Sequence, residues 1–264
     1  MSSALLHEFL HPFLTFVLVL TRLSGLAMTA PVFGARAAPP QVRGLLAVAT
    51  ALLITPLFGE VEIEANNLLQ LTSAVLREAG LGLAMGVGVM VMFTSMQLTG
   101  QVIGQMSGMQ LADVFDPTHN ASIPVFAQLI DLVAVAVFIL IGGHRAVMMA
   151  LLDTFAWIPP GEAAFSEGML EGLLDVIQMS FLVGIRTSAP IMISLLMSML
   201  ILGLISRTLP QLNILLIGFN LNSMVMLATL AVCIGGIVWV FENEVLIAID
   251  NLRTAIFGAP PSLE

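Results

Sequence analysis

Four ionisable residues stand inside otherwise apolar stretches of the sequence: Arg22, Asp131, Asp175 and Arg186. A charge facing hydrocarbon is costly, so each should face protein or a water-filled cavity. Such a set could form a proton or ion relay, or it could consist of structural pairs that neutralise one another. No second acidic residue lies one helical turn from Asp131 to extend a proton path. Other chemistry has little to work with. All eight basic residues are Arg and there is no Tyr, so lysine nucleophiles, a Walker-A lysine and tyrosine acids are absent. No GxSxG occurs. His7-Glu8-Phe9-Leu10-His11 spells HExxH at helical spacing but lacks a third ligand, and His119 and His144 are isolated. Cys233 is alone, so no intrachain disulfide can form. No metal or cofactor is implied, and an intramembrane enzyme has no nucleophile–base pair to offer.

The elements that must hold these residues follow from composition. Hydrophobic residues make up 58% of the 264 residues and charged ones 9%, with a mean hydropathy of +1.04. Soluble domains carry roughly a quarter charged residues, so the solvent here is largely lipid or other apolar protein. The formal charge of -9 argues against nucleic acid as a partner. The N-terminus has Glu8 where a secretory signal is basic, and Arg22 interrupts its apolar stretch, so the first helix is expected to be retained. Uncharged runs predict helices at 9–30, 44–58, 79–112, 121–143, 172–205 and 208–241, with an amphipathic tail at 242–257. The fold class is an all-α integral membrane protein of long helical hairpins. The runs 79–112 and 208–241 would each be roughly 50 Å long as helices, against a hydrocarbon core of about 30 Å. They must tilt and protrude, break, or be buried in protein.

Loop charges give a sidedness. The segment 31–43 carries Arg36 and Arg43 and no acid, whereas 59–78 carries Glu60, Glu62 and Glu64 against Arg77. Positive-inside logic puts the first in the cytoplasm and the second outside, with both termini outside and the turn at Arg207–Pro210 cytoplasmic. Small residues mark packing faces. Gly100, Gly104 and Gly108 form GxxxGxxxG, and Gly80, Ala84 and Gly88 form a second stripe flanked by Gly82 and Gly86. Both suit close helix packing, within the chain or between subunits.

The segment 108–124, GMQLADVFDPTHNASIP, is the main polar interruption between apolar elements. Asp116-Pro117 initiates a turn, which suits an ordinary hairpin loop, while Val114 and Phe115 suggest partial burial. The seventeen methionines concentrate at Met85–Met109 and Met192–Met226. They could fill irregular core gaps or form a deformable apolar seal around a pore.

Three blocks carry a resemblance. RLSGLAMTAPVFGARAAPPQVR (Arg22–Arg43), GQMSGMQLADVFDPTHNASIPV with FILIGGH ending at His144, and SAPIMIS…LGLISRTLPQLNILLIGF (Ser188–Phe219) occur in this order over nearly the whole chain. Together they resemble the FliR family of the bacterial flagellar protein-export gate, with the virulence-system SctT family as the nearest rival. One departure stands out. The family often continues Gly-Phe-Pro-x-Lys where this chain reads Gly218-Phe219-Asn220-Leu221-Asn222, so no role of that lysine carries over.

The resemblance implies a single membrane domain over 1–264, with a FliP-like part at 1–186 and a FliQ-like hairpin and tail at 187–264, whose turn holds Arg207, Pro210 and Asn213. It implies FliP-like and FliQ-like partner subunits, an FlhB-like subunit at the base, and unfolded axial proteins as cargo. The location implied is the inner membrane at the flagellar basal body. The loop carrying Gly108, Met109, Leu111, Asp113, Val114, Phe115, Asp116, Pro117 and Asn120 maps onto the segment that plugs the channel in this family. A self-contained small-solute or ion transporter is the alternative of a different class, and it predicts activity lost in Asp131→Asn.

Overall fold

The computed structural model describes residues 2–30, 39–58, 68–108, 125–209, 211 and 214–257. Every regular element among them is helical: α1 (Ser2–Thr29), α2 (Pro40–Ile54) running into a 3₁₀ turn (Thr55–Leu57), α3 (Leu68–Met106), α4 (Val125–Leu140), α5 (Gly143–Trp157), α6 (Glu167–Thr208) and α7 (Ile214–Phe257). Four of these are long and apolar enough to cross a membrane, or five spans if α4 and α5 count as one broken span.

Local chemistry sets the ends. Pro40 occupies the first turn of α2, where a missing N–H costs nothing. Gly142, at φ 73, precedes α5 in the left-handed region. Ile158 ends α5 in an extended conformation (φ -127, ψ 92), as expected of a residue before proline. At the start of α6, the Ser166 hydroxyl accepts the Met169 N–H at 3.2 Å, and Glu167 lies in the first turn with Arg207 in the last. That distribution complements the helix dipole.

Several expectations change. The third element begins at Leu68 rather than Ala79, so Arg77 and Glu78 are helical rather than loop residues. The fourth ends at Leu140, and a further helix, α5, follows, although its His144, Arg145 and Asp153 give the stretch the look of a connection. The last apolar run and the tail are one 44-residue helix, starting at Ile214 rather than Thr208. Within the described residues the helices that carry these runs are unbroken, from Leu68 to Met106 and from Ile214 to Phe257. At 1.5 Å per residue the 42-residue α6 is about 63 Å long.

The chain divides into two compact units, each drawn from separate segments: Met1–Val91 with Gly142–Ile177 and Leu246–Glu264, and Met92–Ile141 with Gln178–Val245. In the first, α1 lies against α3 with backbones nearly touching. A Cβ at Gly25 would sit 2.8 Å from the Ala79 carbonyl oxygen, and one at Gly82 would collide with the Arg22 carbonyl oxygen. In the second, Phe93 meets Phe138 and Phe241 edge-on, at 5.1 and 5.7 Å between centroids. A Cβ at Gly100 would collide with the Ala127 Cα, so α3 and α4 touch there through their backbones.

Candidate functional site

The most developed polar site is built around Arg22 in the first unit. Its side chain is fully buried, as is that of Glu78 on α3. The guanidinium donates from Nε to Glu78 Oε2 at 2.5 Å and from Nη2 to Glu78 Oε1 at 3.0 Å, a bidentate pair. Nη1 donates to Thr154 Oγ1 at 3.0 Å, and both Nη1 and Nη2 donate to the Ile158 carbonyl at 3.1 Å. All five N–H donors of an arginine are thereby used. Phe155 lies under the group, 4.2 Å from Cζ to the ring centroid, within cation–π range.

Sequence explains why the acceptors are there. Pro159 forces Ile158 out of the helix and frees its carbonyl. The turn that follows brings the Gly161 N–H to Glu78 Oε1 at 2.7 Å, with Gly161 at φ 98, a conformation that suits glycine. Gly82 and Gly86 follow Glu78 at intervals of four on the face of α3 that meets α1: a Cβ at Gly86 would strike Thr29. Sequence reasoning missed Glu78, because it closes a charged segment. Its spacing to Gly82 and Gly86 is the signal that could have found it.

The other charged positions have different surroundings. Asp131, half-buried on α4, accepts a hydrogen bond from the Gln97 side-chain amide at 3.0 Å. Arg186 is 65% exposed and stands 3.6 Å from Glu244. Asp175 is exposed. The partners of Arg22, Asp131 and Arg186 are thus three different side chains, each outside the set of four. Neutral polar contacts join helices in the second unit: Thr99 and Thr187 hydroxyls lie 2.6 Å apart, and Ser198 donates to Asn222 Oδ1 at 2.7 Å. Among the described residues no group of three His, Cys, Asp or Glu could hold a metal ion.

Of the loop expected to act as a plug, Gly108 is described, at φ 80 just beyond the end of α3. Met109, Leu111, Asp113, Val114, Phe115, Asp116, Pro117 and Asn120 lie outside the described residues, as do Pro210 and Asn213 of the hairpin turn. Gly104 is buried, and Arg207 is exposed in the last turn of α6.

The surface is the second notable feature. Only 28% of the most apolar stretch of α6 and 22% of that of α7 is buried, against 61% for α3. Phe181, Leu182, Leu200, Leu204, Met224 and Val232 are among the exposed apolar side chains.

Comparisons with known proteins place the chain in a family. The family model of bacterial export proteins, family 1, matches residues 13–247. Flagellar biosynthetic protein FliR of Escherichia coli (strain K12) is 30% identical over 212 residues, covering 80% of this chain and 81% of the relative. The protein of the same name from Bacillus subtilis (strain 168) is 27% identical over 250 residues, covering 92% and 95%. That from Aquifex aeolicus (strain VF5) is 22% identical over 222 residues, covering 84% of each.

Proposed function

The chain belongs to the bacterial export proteins, family 1, and on that premise we propose that it is a non-enzymatic core channel subunit of the flagellar protein-export gate in the bacterial inner membrane. The observation that carries this reading is similarity sustained along most of the chain: the match to the Bacillus subtilis relative covers 92% of this chain and 95% of that protein. The physical support is the uncovered apolar surface of α6 and α7, helices about twice as long as a bilayer core is thick. Sibling subunits would cover what lipid cannot.

In this proposal the partners are FliP-like and FliQ-like subunits with an FlhB-like subunit at the base. The segment 1–186 would take the FliP-like place and 187–264 the FliQ-like place. The loop from Gly108 to Asn120 would stopper the shared conduit, with Val114 and Phe115 filling it and Asp113 and Asp116 turned to water or to a donor. Unfolded axial proteins would pass when the loop withdraws. In this proposal energy comes from elsewhere in the apparatus; Arg22 and Glu78 join α1 to α3, and Asp131 is hydrogen-bonded to Gln97.

Purification in mild detergent tests the proposal. The chain is expected to leave the membrane in a stable complex with FliP-like and FliQ-like subunits. A chain that stays monodisperse alone and moves small solutes in liposomes would overturn it in favour of a self-contained transporter.

A further inference from the structure

We propose that the site around Arg22 is a guanidinium receptor, built by α3, α5 and the turn from Ile158 to Gly161, and that helix α1 docks in register by delivering its guanidinium to it. The inference is independent of the export function.

Each acceptor is held by bonds that do not involve Arg22. The Thr154 hydroxyl donates to the Leu151 carbonyl at 2.6 Å, which turns its lone pairs away from its own helix. The Thr154 carbonyl is capped by the Ile158 N–H at 2.8 Å, fixing the residue whose carbonyl takes two Arg22 donors. Glu78 Oε1 is anchored by the Gly161 N–H at 2.7 Å. Thr154 is fully buried and Phe155 is 1% exposed, so the ring, hydroxyl and carbonyl form a dry slot with one negative charge at its end. Removing α1 would leave a flat cavity lined by four acceptor atoms and an aromatic face.

That shape selects planar guanidinium over ammonium. Lysine offers three donors at a point, too few for Glu78 Oε1, Glu78 Oε2, Thr154 Oγ1 and Ile158 O together, and it lacks the planar fork that meets a carboxylate bidentately. The close backbone contacts at Gly25 and Gly82 leave little latitude for α1 to shift and compensate.

The experiment uses the full chain, purified in mild detergent. Trp157 stands next to Ile158, and with Trp239→Phe it is the single tryptophan; its fluorescence follows thermal unfolding. Arg22→Ala is expected to lower the midpoint by about 10 °C, from the loss of one partner of a buried pair. Guanidinium chloride at low-millimolar concentration should restore part of that loss saturably, as a ligand binding the folded state does. Tetramethylammonium chloride at equal ionic strength should not. In Arg22→Ala combined with Glu78→Ala the rescue should disappear. Arg22→Lys provides an independent measurement should the alanine variant fail to accumulate: its midpoint should fall well below that of the parent. A parent-like midpoint in Arg22→Lys, or an Arg22→Ala protein indifferent to guanidinium, would overturn the receptor.

Discussion

Asp131 and Gln97 meet the problem that Arg22 and Glu78 meet, a polar group inside an apolar element, with a neutral partner instead of an opposite charge. The Gln97 amide donates to Asp131 Oδ1, a bond that an asparagine at 131 could also accept. Asp131→Asn should therefore leave export, followed as swimming motility, close to the parental level, whereas a proton relay through this carboxylate would lose it. The Thr99–Thr187 contact is of the interhelical kind that contributes roughly 0.6–2 kcal/mol in membranes. Thr99→Val should lower thermal stability by about that amount without abolishing assembly. At this scale the sequence marked Arg22 as a charge that must face protein or a water-filled cavity, and the structure surrounds it with protein. Its partner was harder to see. Glu78 follows Arg77 and three glutamates of the preceding segment, and only the helix that begins at Leu68 turns it inward.

Among elements, the contact of α1 with α3 depends on having nothing where side chains would be. Gly82 has the Arg22 carbonyl oxygen where its Cβ would go, and backbone cannot step aside as a side chain can. Gly82→Val should force the two helices apart and destabilise by about 1–3 kcal/mol or more, seen as a lowered unfolding midpoint or loss of the protein from the membrane. Gly44, by contrast, has nothing within 4 Å of its Cβ position, so Gly44→Ala should be tolerated. The loop after α3 makes a different prediction. If it stoppers a conduit, deleting residues 110–118 should let small solutes leak through the assembled gate, and permeability equal to the parent would refute that role. Apolar run length was enough to reveal the long helices α3, α6 and α7, since little else accommodates such stretches. It failed at α5, where charge made a helix resemble a connection, and at the helix starts, where polar first turns are hidden among loop residues.

For the molecule as a whole, the defining quantity is the apolar surface left uncovered. Val232 is 84% exposed on α7 and Leu200 63% on α6, and both helices extend well beyond the reach of a hydrocarbon core of about 30 Å. Composition alone showed that lipid or apolar protein must surround the chain, but not which, because leucine is at home beside either. In the proposed gate, sibling subunits do much of the covering. Photo-crosslinking residues placed at Leu200 and Val232 and activated in membranes of swimming cells should give covalent adducts with other export-apparatus polypeptides at one or both positions; adducts with lipid alone at both positions, in cells that still export, would rule the proposal out.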